Sequence, residues 1–352
     1  MKKNNFILNG RKISATQPPY VVAEMSGNHN GDIGRAFAIL EAAKDAGADA
    51  VKMQTYTADT ITINHSGPDF IIQGGLWDKS SLYNLYEKAH TPWDWHAPLF
   101  QKAHDIGITV FSAPFDKSAV DFLENLNSPA YKIASFEIVD LPLITKAAAT
   151  GKPLILSTGM ATLLEIDEAI NTARAAGARD ILVLHCVSGY PTPAKDCNLA
   201  TIRDLASRFN VFSGLSDHTL GIAVPIAAIG YGAVLVEKHI TLSRKDGGPD
   251  ANFSIEPEEL KMLVDGIRTA WEAGGHPNYN IAESERNNAM FRRSLYVIED
   301  IPKGNHLTET NIRSIRPGHG IAPKYLPDVL GQIARRDLKR GEALTWEMFR
   351  SK

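Results

Sequence analysis

Between residues 20 and 271 short apolar runs alternate with longer stretches in which apolar positions recur every three or four residues. The short runs read as buried strands and the longer period as amphipathic helices packed on them. Eight strand candidates result, at residues 20–23, 50–53, 109–112, 130–133, 154–157, 181–185, 211–214 and 233–237. Between them, residues 35–46, 117–126, 163–176 and 222–231 carry helical spacing. Several helical stretches close on Gly-Ala pairs, at Gly47-Ala48, Gly177-Ala178 and Gly232-Ala233, and glycine just past a helix is a common C-terminal cap. Eight strand-then-helix units without a GxGxxG after the first strand predict an α/β fold of the (β/α)8 TIM-barrel kind rather than a doubly wound sheet.

One connection is out of proportion. Residues 55–92 intervene before the second main helix, and insertions of that length in compact domains are usually functional or disordered. Phe70, Trp77, Tyr83 and Tyr86 within it predict an ordered cover over an active site. After Gly274-Gly275-His276-Pro277 the alternation stops. Residues 282–288 read as a charged helix, RRSLYVIEDIPKGNHLT as a strand, a PKG turn and a strand, and RRDLKRGEALT as a second copy of that plan. The expected division is a barrel over 1–285 and a compact β-rich module over 288–352.

Composition changes this picture only at its edges. With 44% apolar and 22% charged residues the chain is globular, neither disordered nor collagen-like. No apolar run approaches the roughly 18 residues of a membrane span, and MKKNNFILNG lacks the apolar core of a leader, so a cytoplasmic protein without membrane contact is expected. Cys186 and Cys197 are too few for a disulfide framework and read as reduced thiols. The net charge of -3 hides an asymmetry, because residues 288–352 hold 12 Lys and Arg against 7 Asp and Glu. That module lacks the cationic blocks and interleaved aromatics of a single-strand binder, so nucleic acid is not an expected partner; the commoner reading of its excess cations is a solvated face, and the other is help in holding an anionic substrate of the larger unit.

In such barrels the chemistry comes from the carboxyl ends of strands and the loops that follow. Reading those ends gives Glu24, Lys52 with Gln54, Ser112, Lys132 with Ser135, Ser157, then His185, Ser188 and Tyr190, Ser216, Asp217 and His218, and finally Glu237, Lys238 and His239. His218 and His239 end adjacent strands and could hold one divalent ion, with Glu237 or Asp250 and water completing a labile shell. Mn2+ fits such mixed ligands better than a structural zinc, with Mg2+ or Co2+ as alternatives. The plainer reading of two histidines is core packing or helix capping. Lys52 and Lys132 among serines form what a phosphate or carboxylate needs. The competing readings are a Schiff-base lysine and a buried lysine paired with Glu24. Glu24 itself, before the polar MSGNHNGD, is a candidate general acid or base.

At these residues the chain resembles the sialic acid synthase family, which condenses phosphoenolpyruvate with amino sugars. The motifs are AEMSGNHNGD (23–32), VKMQTYT (51–57), FSAPF (111–115), AYKIASFE (130–137), LSTGMAT (156–162), GLSDHTLG (214–221), VEKHITL (236–242) and GPD (248–250). FRRSLY (291–296), SIRPGHGI (314–321) and RGEALT (340–345) resemble the family's antifreeze-like (SAF, β-clip) module.

The resemblance implies catalytic roles for Glu24, His218 and His239, the two histidines as metal ligands, and phosphoenolpyruvate on Lys52, Ser112, Lys132, Ser135, Ser157, Ser188 and Tyr190. It implies the sugar on Gln54, Glu237, Asp250 and Arg316, the last entering a partner's site in a domain-swapped homodimer. EMSGNHNG, the insertion, and Ser188 where mannosamine enzymes usually carry Asn point to a 2,4-diacetamido-6-deoxy hexose as acceptor. Phe70, Trp77 and Tyr83 are the expected apolar contacts for its methyl group. N-acetylmannosamine or another diacetamido hexose is the alternative acceptor, and a sugar-binding scaffold without turnover the non-enzymatic one.

Overall fold

The computed structural model describes residues 6–350 and divides the chain into two compact units, Met1–Gly275 and His276–Lys352. In the first unit, strands β3 (Tyr20–Glu24), β4 (Ala50–Thr55), β5 (Thr109–Pro114), β6 (Tyr131–Ile133), β7 (Leu154–Ser157), β8 (Ile181–Cys186), β9 (Phe212–Asp217) and β10 (Leu235–His239) close a parallel barrel. All eight expected strands are present. Six of them (β3, β4, β5, β8, β9 and β10) run one to three residues past their expected ends, mostly because the polar residues that finish them look like loop when judged by hydropathy alone.

Strand periodicity explains how a greasy barrel carries a polar site. Side chains alternate between faces, so Val21, Ala23, Val51, Met53, Val110 and Val236 pack outward under the helices. Tyr20, Val22, Ala50, Phe111, Ile155, Leu182, Leu184 and Leu235 fill the interior. Continuing that inward phase toward the carboxyl ends reaches Glu24, Lys52, Gln54, Ser157, Cys186, Ser216, Glu237 and His239. The hairpin of β1 (Phe6–Leu8) and β2 (Arg11–Ile13) adds Phe6, Leu8 and Ile13 to the interior cluster.

The expected helices form as α1 (Ile33–Asp45), α5 (Lys117–Asn125), α7 (Leu163–Ala175) and α9 (Ala223–Gly230). Asp32 and Asp116 cap the first two by accepting from backbone N–H groups, and Thr162 with Glu165 forms a capping box on the third. The long connection is ordered, with α2 (Ala58–Ile61) and α3 (Leu82–Ala89) joined through a bridge between Ile71 and Ser81. It leads into α4 (Trp93–Ile106).

The second unit departs from the hairpin expectation. Strand β11 (Ser294–Val297) pairs antiparallel with β12 (Ile312–Ile315), not with the segment just after the PKG turn. The remaining contacts are bridges from Tyr296 to Ala343, Ile301 to Leu338 and His306 to Ile333. These long-range pairings gather Leu295, Val297, Leu307, Leu338 and Leu344 into one core, a gain that nearest-neighbour hairpins would forgo. The expected charged helix is a 3-10 segment, Glu283–Phe291, whose residues are all exposed; it has no apolar face to pack an α-helix.

Candidate active site

A cavity of about 290 Å3 opens at the carboxyl end of the barrel. Its floor is a buried charge network. Lys52 Nζ lies 2.7 Å from Glu24 Oε2 and 3.6 Å from Glu237 Oε1, and Lys132 Nζ donates to Glu237 Oε1 at 2.8 Å. Gln54 donates to Glu24 at 3.0 Å and Ser216 to Glu237 at 3.3 Å. Strand register produces these meetings, since Glu24 pairs directly with Lys52 on one side and His239 on the other.

The network pushes its two carboxylates apart. Burial raises the pKa of Glu24, and the opposing pull of Lys52 does not cancel it. Burial acts on Glu237 as well, but Lys132 and Lys52 overcome it and hold that group at about 2. Burial opposes the charge on Lys52, yet Glu237 and Glu24 raise its pKa above the ordinary lysine value. Glu237 is therefore a fixed anion between two lysines, and Glu24 is the group disposed to carry a proton. With Glu24 protonated, the floor bears a net positive charge that favours an anionic ligand. Ser157 Oγ is buried here without a hydrogen-bond partner, a donor available to such a ligand.

His218 and His239 face each other with ring centroids 5.3 Å apart. Burial lowers His218 to about 4 and His239 well below the ordinary histidine value, so both rings are neutral at pH 7. His218 Nδ1 lies 3.1 Å from the Val187 carbonyl, which can only accept, so this nitrogen carries the proton and Nε2 keeps its lone pair. His239 Nδ1 is buried with no hydrogen-bond partner, and Asp250 Oδ2 lies 3.9 Å from it. Neutral, oriented imidazoles of this kind fit a divalent ion. Among the described residues no third His, Cys, Asp or Glu joins them. Glu237 and Asp250, the alternative carboxylates expected for the shell, are held by Lys132 and by Ser26, which donates to Asp250 Oδ2 at 2.5 Å. Any remaining ligands would be water or substrate.

Glu24, Lys52, Gln54, Lys132, Ser135, Ser157, Tyr190, His218, Glu237, His239 and Asp250 all line the cavity. Ser188 does not, but donates to Ser135 Oγ at 2.9 Å. Ser112 is placed elsewhere. Phe111 takes the inward phase of β5, so Ser112 faces the helices and bonds Thr55 Oγ1 at 2.6 Å, which in turn meets His96. His185 points outward for the same reason and reaches the Cys197 carbonyl. Arg316 is an exposed residue of the second unit.

The insertion contributes Ile61, Trp77, Leu85, Tyr86 and Ala89 to the lining, as an active-site cover would. Trp77 Nε1 donates to the Pro249 carbonyl at 3.0 Å and its ring meets Tyr190 at 5.6 Å. Phe70 and Tyr83 are not in the wall: the Phe70 ring lies tilted against His65, with centroids 5.1 Å apart, and Tyr83 sits beside Asp59. Sequence reasoning also passed over Glu137, a lining carboxyl raised by burial to about 7, and Ser26, held at φ 45° against Asp250. Neither carries a spacing signal. Gly159 is similar: a Cβ there would meet Ser135 Cβ at 2.5 Å, so only glycine lets this loop approach Ser135.

The sequence profile of the NeuB family matches residues 39–279, and that of the SAF domain matches residues 292–350. The chain belongs to the NeuB family. It is 47% identical to a pseudaminic acid synthase of Helicobacter pylori, over 94% of this chain and 97% of that one. It is 36% identical to an N,N'-diacetyllegionaminic acid synthase of Legionella pneumophila, over 96% of this chain and 98% of that one. The crystal structure of a sialic acid synthetase from Leptospira borgpetersenii, in complex with citrate, superposes with a TM-score of 0.72 at 30% identity, covering 81% of this chain and 95% of that one. The barrel and the C-terminal module thus belong to one NeuB-family enzyme architecture.

Proposed function

We propose that this NeuB-family chain condenses phosphoenolpyruvate with 2,4-diacetamido-2,4,6-trideoxy-altropyranose and water, giving pseudaminic acid and phosphate. The observation that carries the reading is the floor of the cavity, where Lys52 and Lys132 stand beside Glu24, whose pKa is raised by burial, and two neutral histidines. The 47% identity to the Helicobacter pylori enzyme, against 36% to the legionaminic one, supports this acceptor over its isomers.

Lys52, Lys132, Ser135, Ser157 and Tyr190 bind phosphoenolpyruvate, the lysines offsetting its charge and the hydroxyls fixing its orientation. Held this way, the enol carbon is aimed at the sugar aldehyde, and orientation replaces a costly encounter. That carbon attacks, a C–C bond forms, and the enol electron pair is drawn from carbon 2 of the former phosphoenolpyruvate. Glu24 delivers its proton to the former aldehyde oxygen, which becomes a hydroxyl. Water then adds at the electron-poor carbon 2, one of its protons restoring Glu24, and phosphate leaves with its bridging oxygen and the other proton, a C–O cleavage that generates the ketone. His218 and His239 would hold a divalent ion, Mn2+ before Mg2+ or Co2+, and polarisation of the aldehyde oxygen is the chemistry it would supply.

We further propose a homodimer in which Arg316 of a second copy completes the sugar site. Phe136, Val139, Met160, Leu163, Leu164 and Leu220 are exposed on loops and a helix start at the carboxyl end of the barrel, an apolar rim that a second copy would cover. No helix among the described residues is long and apolar enough to cross a membrane, consistent with work in the cytoplasm on soluble substrates.

The deciding experiment measures phosphate release from phosphoenolpyruvate by metal-stripped protein, with and without Mn2+, offering the altrose derivative and N-acetylmannosamine in parallel. Mn2+-dependent release with the altrose derivative is expected. Release with N-acetylmannosamine alone would overturn the acceptor, and no release with either would overturn the reaction.

A further inference from the structure

The cavity has two chemically different sides. The barrel supplies Glu24, Lys52, Lys132, Ser157, Glu237 and the two histidines. The opposite character comes from the insertion and the end of β5, through Ile61, Leu85, Tyr86, Trp77 and Phe115. Trp77 has already committed its N–H to the Pro249 carbonyl. Tyr86 and Phe115 pack edge-on against the buried Tyr56, with ring centroids 5.7 and 5.0 Å away. Ile61, Leu85 and Phe115 are each only half-buried and have no polar atom to offer a substrate. A hydroxyl set against them would give up its water for nothing, whereas a methyl group would gain apolar contact.

We propose that Ile61, Leu85 and Phe115 are specificity-determining residues that receive the deoxygenated carbon of the acceptor sugar and select against an acceptor carrying a hydroxyl there. This rests on the proposed reaction and deepens it: the barrel performs the chemistry, and the insertion chooses the sugar. Selection by an apolar surface is bounded, because such a site rejects an added hydroxyl by about 100-fold at most. The preference is therefore strong without being absolute.

The test compares two acceptors that differ only at carbon 6, the 2,4-diacetamido-6-deoxy sugar and its 6-hydroxy counterpart, and reads the ratio of their kcat/KM values. Wild-type protein should favour the deoxy sugar by about 10- to 100-fold. Leu85→Asn, close to leucine in shape, and Ile61→Thr should each shrink that ratio by about tenfold, mostly by improving use of the hydroxylated acceptor. Ile63→Thr, on the same insertion but exposed and outside the cavity, should leave the ratio unchanged. An active wild type whose ratio is near one, or whose ratio is moved by neither cavity variant, overturns the inference while leaving the proposed reaction intact. Turnover of neither acceptor overturns the reaction, and this inference with it. Two variants on different helices keep a folding failure in one from deciding the result.

Discussion

Glu24 and Glu237 show how one barrel floor assigns different tasks to the same functional group. Glu237 lies between two lysines and stays ionised, while Glu24 has Lys52 as its ion-pair partner and is raised by burial. Glu24→Gln, which keeps shape but cannot give up a proton, should lower kcat by about 10²- to 10⁴-fold in a steady-state assay. In the proposed mechanism Glu24 acts in its protonated form, so wild-type kcat should fall as pH rises through its raised pKa. That alkaline limb should vanish from the residual activity of the variant. Glu137 acts in the same direction on binding. It gains a negative charge as pH climbs through about 7, beside the anion site, so KM for phosphoenolpyruvate should rise across that range. Glu137→Gln should flatten the profile, and an unchanged KM profile would remove Glu137 from the site. The inward-facing Glu24, Lys52, Gln54, Ser157, Ser216, Glu237 and His239 could all be found from strand ends alone. Ser112 does not join them, because Phe111 takes the inward phase of β5 and turns Ser112 toward Thr55 and the helices.

At the scale of elements, the strands that present His218 and His239 are tied together on their opposite faces. Lys238 Nζ donates to Asp217 Oδ2 at 2.5 Å and to the Thr219 carbonyl, with Lys238 fully buried. Burial raises the pKa of Asp217 despite that partner. Removing the lysine strands a carboxylate, so Lys238→Met should destabilise the fold by about 3–5 kcal/mol, read by urea unfolding. The loss should be smaller at acid pH, where the stranded group can protonate, and Asp217→Asn in the same chain should recover part of it. Equal stability of the single variant and wild type would show that the pair contributes nothing. The existence of every barrel strand was legible from apolar runs. The pairing of β11 with β12 was not, because hairpin patterns name the nearest partner while burial of Leu295 and Val297 rewards a distant one.

For the whole molecule, the question is whether a site is assembled from two copies. A two-fold dimer that exchanges its C-terminal modules makes a distinctive prediction. His218→Ala and Arg316→Ala should each be nearly inactive alone. Unfolded and refolded together, they should regain about one quarter of wild-type activity, since half the dimers are mixed and each mixed dimer has one intact site. Arg316 acting on its own barrel would give no recovery, as would a role for Arg316 outside the site.

By itself the sequence determined the alternation that makes a (β/α)8 barrel, the β-rich second unit, and the residue types at the strand ends, because hydrophobic period and strand polarity are local properties of the chain. Only the tertiary structure decided which of those residues share a cavity. Register set Glu24 between Lys52 and His239, a one-residue phase turned Ser112 and His185 away, and packing of the insertion chose Ile61, Leu85 and Tyr86 over Phe70 and Tyr83. Facing direction and contact depend on residues far apart in the chain, and the proton preference of Glu24 depends on burial that exists only once the barrel has closed.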